Sequence, residues 1–103
     1  MPPAESLRVL FRNAARADHN RLAGNGLVGL FRLGDENART AVLEMTRHED
    51  ESFRATAAWV IGRVSWHGGA IRLNEMTADP SESVRRNARR ALGRLNRFNR
   101  EAA

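Results

Sequence analysis

The chain has 103 residues, of which 42% are hydrophobic and 28% charged, a balance that indicates one folded domain with a modest core. It contains no cysteine, so disulfide bonds, thiolate nucleophiles and cysteine zinc sites are excluded. No apolar run reaches the roughly 18 residues of a membrane-spanning helix, and residues 1–8 lack the pattern of a secretion signal, so we expect a cytoplasmic protein without membrane contact.

Apolar residues recur at spacings of three and four along the chain, which predicts six amphipathic helices separated by short polar turns. The odd-numbered helices are marked by Leu7, Leu10, Phe11, Ala14; Ala38, Val42, Met45; and Ile71, Leu73, Met76. The even-numbered helices are marked by Leu22, Leu30, Leu33; Phe53, Ala57, Val60, Ile61, Val64; and Val84, Ala88, Ala91, Leu92, Leu95. The turns fall at residues 18–20, 34–35, 48–50, 67–69 and 79–81, and Pro80 fits the start of the last helix, where a missing N–H costs nothing.

The chain repeats itself with a period of 31 residues. This shift aligns residues 36–66 with residues 67–97 without a gap and with nine identities, among them Glu44-Met45-Thr46 with Glu75-Met76-Thr77. The same shift extends more faintly to residues 5–35, where Leu22 falls on Phe53. We therefore predict a single domain over residues 1–103, built from three units at about 5–35, 36–66 and 67–97, of which the first is the most diverged.

Residues 79–95 resemble the second-helix signature of HEAT-like repeats: an acidic turn, the pair Val84-Arg85, then Ala88, Ala91-Leu92 and Gly93. The 31-residue period is similar to the compact HEAT-like repeats found beside bilin-lyase proteins. The resemblance implies an all-α solenoid of three helix-turn-helix units. It also implies that the arginines after Phe53 and Val84, Arg54 and Arg85, bond to acidic or carbonyl groups of a neighbouring turn. The first unit departs from the pattern, with Ala23 in place of the arginine and Phe31 in place of the glycine.

The glycines of the second helices indicate how closely neighbouring helices pack. Gly62 and Gly93 are expected to let neighbouring helices approach closely. Gly24, Gly26 and Gly29 fall within one predicted helix, where each costs roughly 1 kcal/mol relative to alanine. They indicate either tight packing or a loosely held first unit.

A surface opposite the core stripe of the second helices is the candidate site. The angle around the helix axis is counted from Phe53 at about 100° per residue. On this scale the core stripe centres near 40°, whereas Trp59 and its neighbours spread over roughly 200–300°. In HEAT-like proteins such positions line the concave surface that holds partners. Equivalent residues of the three second helices form rows across this surface, which we call rungs, and these rungs include Ala55 and Val28. The predicted partner-binding residues are Trp59, Arg63, Arg90, Arg94, Arg86, Arg32, Thr56 and Asn87.

Three features of this surface have alternatives. Trp59 between arginines has the composition of an interface hot spot, or it leans on an adjacent helix and is mostly buried. Trp66 is expected to pack between units two and three, and the alternative is that it contacts a ligand. The arginines of the last helix, Arg86, Arg89, Arg90, Arg94, Arg97 and Arg100, are either a binding surface or the solvated outer face of the last unit.

We expect no catalysis, no cofactor and no metal. His19, His48 and His67 fall in predicted turns, and none has a second ligand at metal-binding spacing. Ser52 and Ser83 lie near helix starts, where serine is typical of a cap rather than of a nucleophile. No phosphate-binding glycine loop is present.

The sequence favours a protein–protein interaction scaffold that binds an acidic or mixed surface on the concave face of the second helices. The alternative is sequence-independent nucleic-acid binding through the arginine ladder Arg32, Arg63 and Arg94, given the net charge of +5. All 17 basic residues are arginine, which is also typical of a GC-rich genome and weakens that alternative. A third hypothesis is that the chain is part of a longer solenoid, or associates with itself through its rather apolar first unit.

Overall fold

A computed structural model describes residues 3–102 of the chain, without the side chains of residues 3, 4, 6 and 98–102. These residues form six α-helices: α1 (Pro3–Ala15), α2 (Asn20–Arg32), α3 (Asn37–Met45), α4 (Glu51–Arg63), α5 (Ala70–Met76) and α6 (Glu82–Ala102). A 3₁₀ turn, His67–Gly69, precedes α5. No strand occurs in this part of the chain. The predicted all-α architecture of six paired helices is confirmed.

The helices stack in two layers. The second helix of each unit packs on the next, α2 on α4 and α4 on α6, and each of α1, α3 and α5 packs on the second helix of its own unit. The core lies between the layers, where Val60, Ile61, Leu73 and Val84 are fully buried. The register of the repeats therefore places equivalent residues on neighbouring helices.

The ends of α2 and α4 share one backbone motif. Gly34 and Ser65, which are equivalent in the repeat register, both adopt a positive φ, 72° and 55°. The next residue in each case donates its N–H five residues back, Asp35 to Leu30 and Trp66 to Ile61. This Schellman arrangement satisfies carbonyls that a helix end leaves free, and it turns the chain toward the next unit.

Four apolar markers lie at the surface rather than in the core. Leu22 is 50% exposed, although its equivalent Val84 is fully buried, because within residues 3–102 no unit precedes the first one. Ile71 is 79% exposed, since it lies about 200° around α5 from the buried Leu73. Leu7 and Leu10 are also exposed. The prediction that Leu22 belongs to the core is therefore wrong.

The starts of α4 and α6 also differ in detail from the prediction. Pro80 lies two residues before α6 rather than within it. The cap of α4 is Asp50, whose carboxylate accepts both the N–H and the hydroxyl of Ser52 at 2.9 and 2.8 Å. These two bonds lower the pKa of Asp50. The hydroxyl of Ser83 lies 3.0 Å from that of Ser81.

The glycines of α2 reflect tight packing. A methyl group built on Gly26 would lie 2.5 Å from the backbone nitrogen of Ala15, and one on Gly29 would lie 2.5 Å from the Phe11 ring. Gly26 is equivalent to the buried Ala57 and Ala88, whereas Gly29 is equivalent to Ala91, which contacts the preceding second helix at Gly62. Helix α1 therefore packs closely on α2 at both glycines.

Gly62 and Gly93 behave differently, although they are equivalent. A methyl group on Gly62 would lie 2.8 Å from the Cα of Ala91, which confirms the predicted close approach of α4 and α6. Among the described residues, no atom beyond the adjacent backbone of α6 lies within 4 Å of the same position at Gly93, so the prediction for Gly93 is wrong. In the first unit the equivalent residue is Phe31, whose ring lies 5.5 Å from that of Trp66. The Trp66 side chain therefore also contacts the first unit, through Phe31.

Arg54 joins the second unit to the third. Its guanidinium donates to both carboxylate oxygens of Asp79 at 3.0 and 3.2 Å, and to the carbonyls of His48 and Glu49, both at 2.9 Å. Burial alone would raise the pKa of Asp79, but the bonds from Arg54 and from the Ser81 N–H outweigh it and hold the pKa below its ordinary value of 3.8. We name this pair the Arg54–Asp79 clamp.

Arg85 repeats only part of this arrangement. It donates to the carbonyls of Asp79 and Pro80 at 2.7 and 2.9 Å, the equivalents of the two carbonyls that Arg54 holds. It forms no ion pair with any described residue. Both arginines therefore bond to turns, as the resemblance implied.

Candidate functional site

One groove spans all three second helices. It is lined by Arg21, Asn25, Thr56, Trp59 and Asn87 and has a volume of about 450 Å³. Asn25, Thr56 and Asn87 are equivalent residues, so the groove follows one polar rung of the repeat register from α2 through α4 to α6. We call it the second-helix groove.

Trp59 leans on a neighbouring helix and also keeps part of its surface exposed to solvent. Its ring lies against α2, since a methyl group built on Gly24 would be 3.6 Å from it. The side chain is nevertheless 42% exposed, one of the largest apolar surfaces that α4 offers to solvent. An indole held on one edge and open on the other can bury further area against a partner without losing much conformational freedom.

Two polar side chains are fixed on the backbone of α4. The amide of Asn87 donates to the Ala55 carbonyl at 2.9 Å, and Nε of Arg94 donates to the Gly62 carbonyl at 3.1 Å. Each crosses from α6 to α4, so each helps to hold the two helices together. The terminal nitrogens of Arg94 form no ion pair with the described residues and stay available for an anionic group.

The predicted site residues separate into two groups. Thr56, Trp59 and Asn87 line the second-helix groove. The second group is exposed but outside the groove lining, and consists of Arg32, Arg63, Arg86, Arg90 and Arg94.

Two residues assigned to the surface lie instead between helices. Ala55 is 8% exposed and Val28 is 7% exposed. Ala55 faces α6, through its carbonyl, and Val28 lies one turn after Gly24, which contacts α4 at Thr56. The placement of these two residues on the concave surface is wrong, because a neighbouring helix packs over each of them, whereas Trp59, the equivalent of Val28, remains 42% exposed.

This correction changes the position of two arginines. Arg86 is equivalent to the buried Ala55, whose carbonyl accepts from Asn87 of α6, and Arg89 is equivalent to the buried Ala58. Both arginines are exposed. Neither lines the second-helix groove.

Arg21 and Asn25 line the groove but are not among the predicted partner-binding residues. A signal for both is present in the sequence, because Asn25 is equivalent to Thr56, and Arg21 precedes Asn25 by four residues and so lies on the same face of α2. An arginine at the mouth of the groove adds positive charge next to Trp59.

Charge is unevenly distributed over the second helices. Their acidic residues all lie at helix ends: Glu51, Glu82 and Glu101. Among the described residues no ion pair involves Arg21, Arg32, Arg63, Arg90 or Arg94. The surface around the groove is therefore positive and unpaired. Within residues 3–102, no helix has both the length and the apolar character needed to cross a membrane.

Comparison with known proteins agrees with this architecture. The family model for HEAT repeats matches residues 4–93. No curated protein and no solved structure gives a significant match. HEAT repeats generally mediate protein–protein interaction and generally serve as non-catalytic scaffolds. Because the match covers most of the chain and the helix pairs stack in one register, the chain belongs to the HEAT repeat family.

Proposed function

We propose that the chain is a non-catalytic interaction module that binds an acidic or mixed protein surface in the second-helix groove. The observation that carries this proposal is the position of Trp59, an exposed indole in a groove formed by three stacked helices. Interface hot spots are enriched in tryptophan and arginine at positions from which a partner excludes water. The groove offers the indole at its centre and unpaired arginines around it.

The chemistry of recognition follows from these groups. Trp59 buries its exposed face under an apolar side chain of the partner, while Arg21, Arg63 and Arg94 donate to carboxylates at the rim. Asn87 and Arg94 are already held on α4 carbonyls, which reduces the ordering cost of binding. The rim charges accelerate association with an acidic partner and make it sensitive to salt.

Replacing Trp59 with alanine is expected to weaken partner binding by about thirtyfold, since truncation of a hot-spot residue costs at least about 2 kcal/mol. The partner is captured from the source cell on immobilised protein, identified by mass spectrometry and then titrated by calorimetry. Ile71→Ala is the matched control, because Ile71 is 79% exposed but lies on α5. Its affinity should equal that of the wild type.

Equal affinities for wild type and Trp59→Ala would remove the second-helix groove from consideration. An Arg94→Glu variant provides a further check on charge, because reversal of one rim charge should slow association and reduce the salt dependence of the association rate.

Sequence-independent nucleic-acid binding is the alternative function. It is favoured by the unpaired arginines on equivalent positions, Arg32, Arg63 and Arg94, with an indole between them on which a base could stack. A salt titration with a single-stranded oligonucleotide separates the two functions. Affinity that falls steeply with salt supports this alternative, and no retardation at low salt rejects it.

Self-association through the first unit is a further hypothesis for the partner. It is supported by four exposed apolar residues of α1 and α2, namely Leu7, Val9, Leu10 and Leu22. Light scattering over a range of protein concentrations tests whether this surface forms a dimer.

A further inference from the structure

A second and larger groove separates the first unit from the second, outside the stack of second helices. It has a volume of about 690 Å³. Its apolar lining comes from Ala15, Leu27, Leu30, Ala41, Met45 and Phe53, and its polar lining includes Arg12, Arg16, Asp18, Asp35, Glu44 and His48. We call it the outer groove, because it opens between α1 and α3.

At the equivalent interface, between units two and three, an arginine side chain fills the corresponding position. There Arg72 of α5 donates from Nε to the hydroxyl of Thr46 and from a terminal nitrogen to the Thr46 carbonyl, both at 3.0 Å. Its other terminal nitrogen lies 3.3 Å from the carboxylate of Glu75. This arginine is only 18% exposed and joins the first helices of the two units.

The repeat register shows which parts of this arrangement the outer groove keeps. Ala41 is equivalent to Arg72, and Ala15 is equivalent to Thr46. Glu44 is equivalent to Glu75, so the carboxylate that receives the arginine remains although the arginine is missing. All three residues line the groove. The outer groove therefore includes the position of an absent arginine side chain beside a retained acidic residue.

The other charged groups of the lining leave Glu44 available. Arg12 is paired with Asp35 at 3.3 Å, and Glu44 forms no ion pair with any described residue. The ring of His48 accepts the Asp50 N–H through Nδ1 and is stacked on Phe53 at 4.3 Å. Arg16, in the groove lining, and Arg47, three residues after Glu44, are both exposed without an ion pair among the described residues, so each is a cation that can compete for Glu44.

We propose that the outer groove binds an arginine side chain carried by a partner protein. Its guanidinium donates to the carboxylate of Glu44 and to the carbonyl of Ala15, the last helical residue of α1 and the equivalent of Thr46, whose carbonyl Arg72 holds. The aliphatic part of the side chain lies on the apolar lining next to Met45 and Phe53. Lysine fits less well, because it lacks the planar fork that Arg72 uses to reach several acceptors at once.

The test uses N-acetyl-arginine-amide as the probe and two-dimensional NMR of the labelled, full-length chain. We expect saturable shifts of backbone amides at residues 15–18 and 41–48. The citrulline analogue, which has the same shape but no charge, should leave these amides unchanged. Glu44→Gln should raise the dissociation constant about tenfold, as expected for loss of a charged hydrogen bond. Arg16→Gln should lower the dissociation constant by removing a competing cation.

Ala41→Arg is the decisive variant, because it restores the arginine that the repeat register lacks. It should fold, raise the melting temperature and abolish the saturable shifts. Binding that persists in Ala41→Arg, equal response to citrulline, or shifts outside the outer groove would overturn the proposal. Shifts at the groove that depend on protein concentration without the probe would assign it to a second copy of the chain and would also overturn it.

Discussion

Replacement of Arg54 with methionine is expected to lower the free energy of unfolding by on the order of 3 kcal/mol, the range for removal of one partner from a buried ion pair. The side chains of Arg54 and Asp79 are only 17% and 9% exposed. Methionine preserves much of the apolar packing of the arginine stem but leaves the Asp79 carboxylate buried without its cation. Urea unfolding followed by circular dichroism measures the change.

Arg85→Met is the control for this variant. Arg85 holds two carbonyls of its own turn but pairs with no described carboxylate, so its loss leaves no buried charge. We expect a cost of about 1 kcal/mol, the usual net contribution of such hydrogen bonds. If the two substitutions cost the same, the Arg54–Asp79 clamp has no special role between units two and three.

The pH dependence of the Arg54→Met effect identifies its cause. The pKa of Asp79 in the folded chain lies below its ordinary value of 3.8, so its contribution to stability is fully present above that pH and is lost as the pH falls through the folded value. Without Arg54 the pKa of Asp79 should rise, and this contribution disappears. The difference in stability between wild type and Arg54→Met should therefore shrink as the solution is acidified below pH 3.8.

Substitution of Gly26 by alanine is the second prediction with a large effect. The added methyl group would meet backbone atoms of α1, the Ala15 nitrogen at 2.5 Å and the Phe11 carbonyl oxygen at 2.6 Å, which cannot move as a side chain can. Overpacking costs about 1–3 kcal/mol or more, and the better helix propensity of alanine returns about 1 kcal/mol. We expect a net loss of about 2 kcal/mol and a fall of about 10 °C in melting temperature.

Gly93→Ala is the matched control, because it makes the same chemical change where no described atom beyond the adjacent backbone of α6 lies within 4 Å of the added methyl group. Here only the propensity gain remains, and the melting temperature should rise by several degrees, corresponding to about 0.5–1 kcal/mol. A neutral or stabilising Gly26→Ala would show that α1 does not lie close against α2.

Much of the fold is predictable from the chain because the repeats reinforce one another. The alignment of Glu44-Met45-Thr46 with Glu75-Met76-Thr77 fixes the register of the second and third units, and helical spacing supplies the rest. The first unit is less predictable, since Leu22 is 50% exposed although its equivalent Val84 is fully buried. The tight contact of Gly26 with α1 also depends on where α1 lies, which helical spacing does not specify.

The candidate site is predictable only in part. Helical spacing correctly separates Trp59 from the core stripe, but it treats each helix as if it had a single buried side. Among the described residues α4 has three, one toward α3 and one toward each of α2 and α6, whereas α2 and α6 each pack on one other second helix. Ala55 and Val28 are buried for this reason, whereas Arg86, the equivalent of Ala55, is exposed. A pattern within one helix does not contain this information.

The stacking of equivalent residues on neighbouring helices is tested most directly by two engineered disulfides in this cysteine-free chain. Gly24→Cys with Thr56→Cys and Ala55→Cys with Asn87→Cys are the same pair shifted by one unit, and both join residues in contact. Mass spectrometry after mild oxidation should show both disulfides within the monomer at similar rates, whereas Gly24→Cys with Asn87→Cys stays reduced. One pair closing without the other would contradict a common register and with it the second-helix groove.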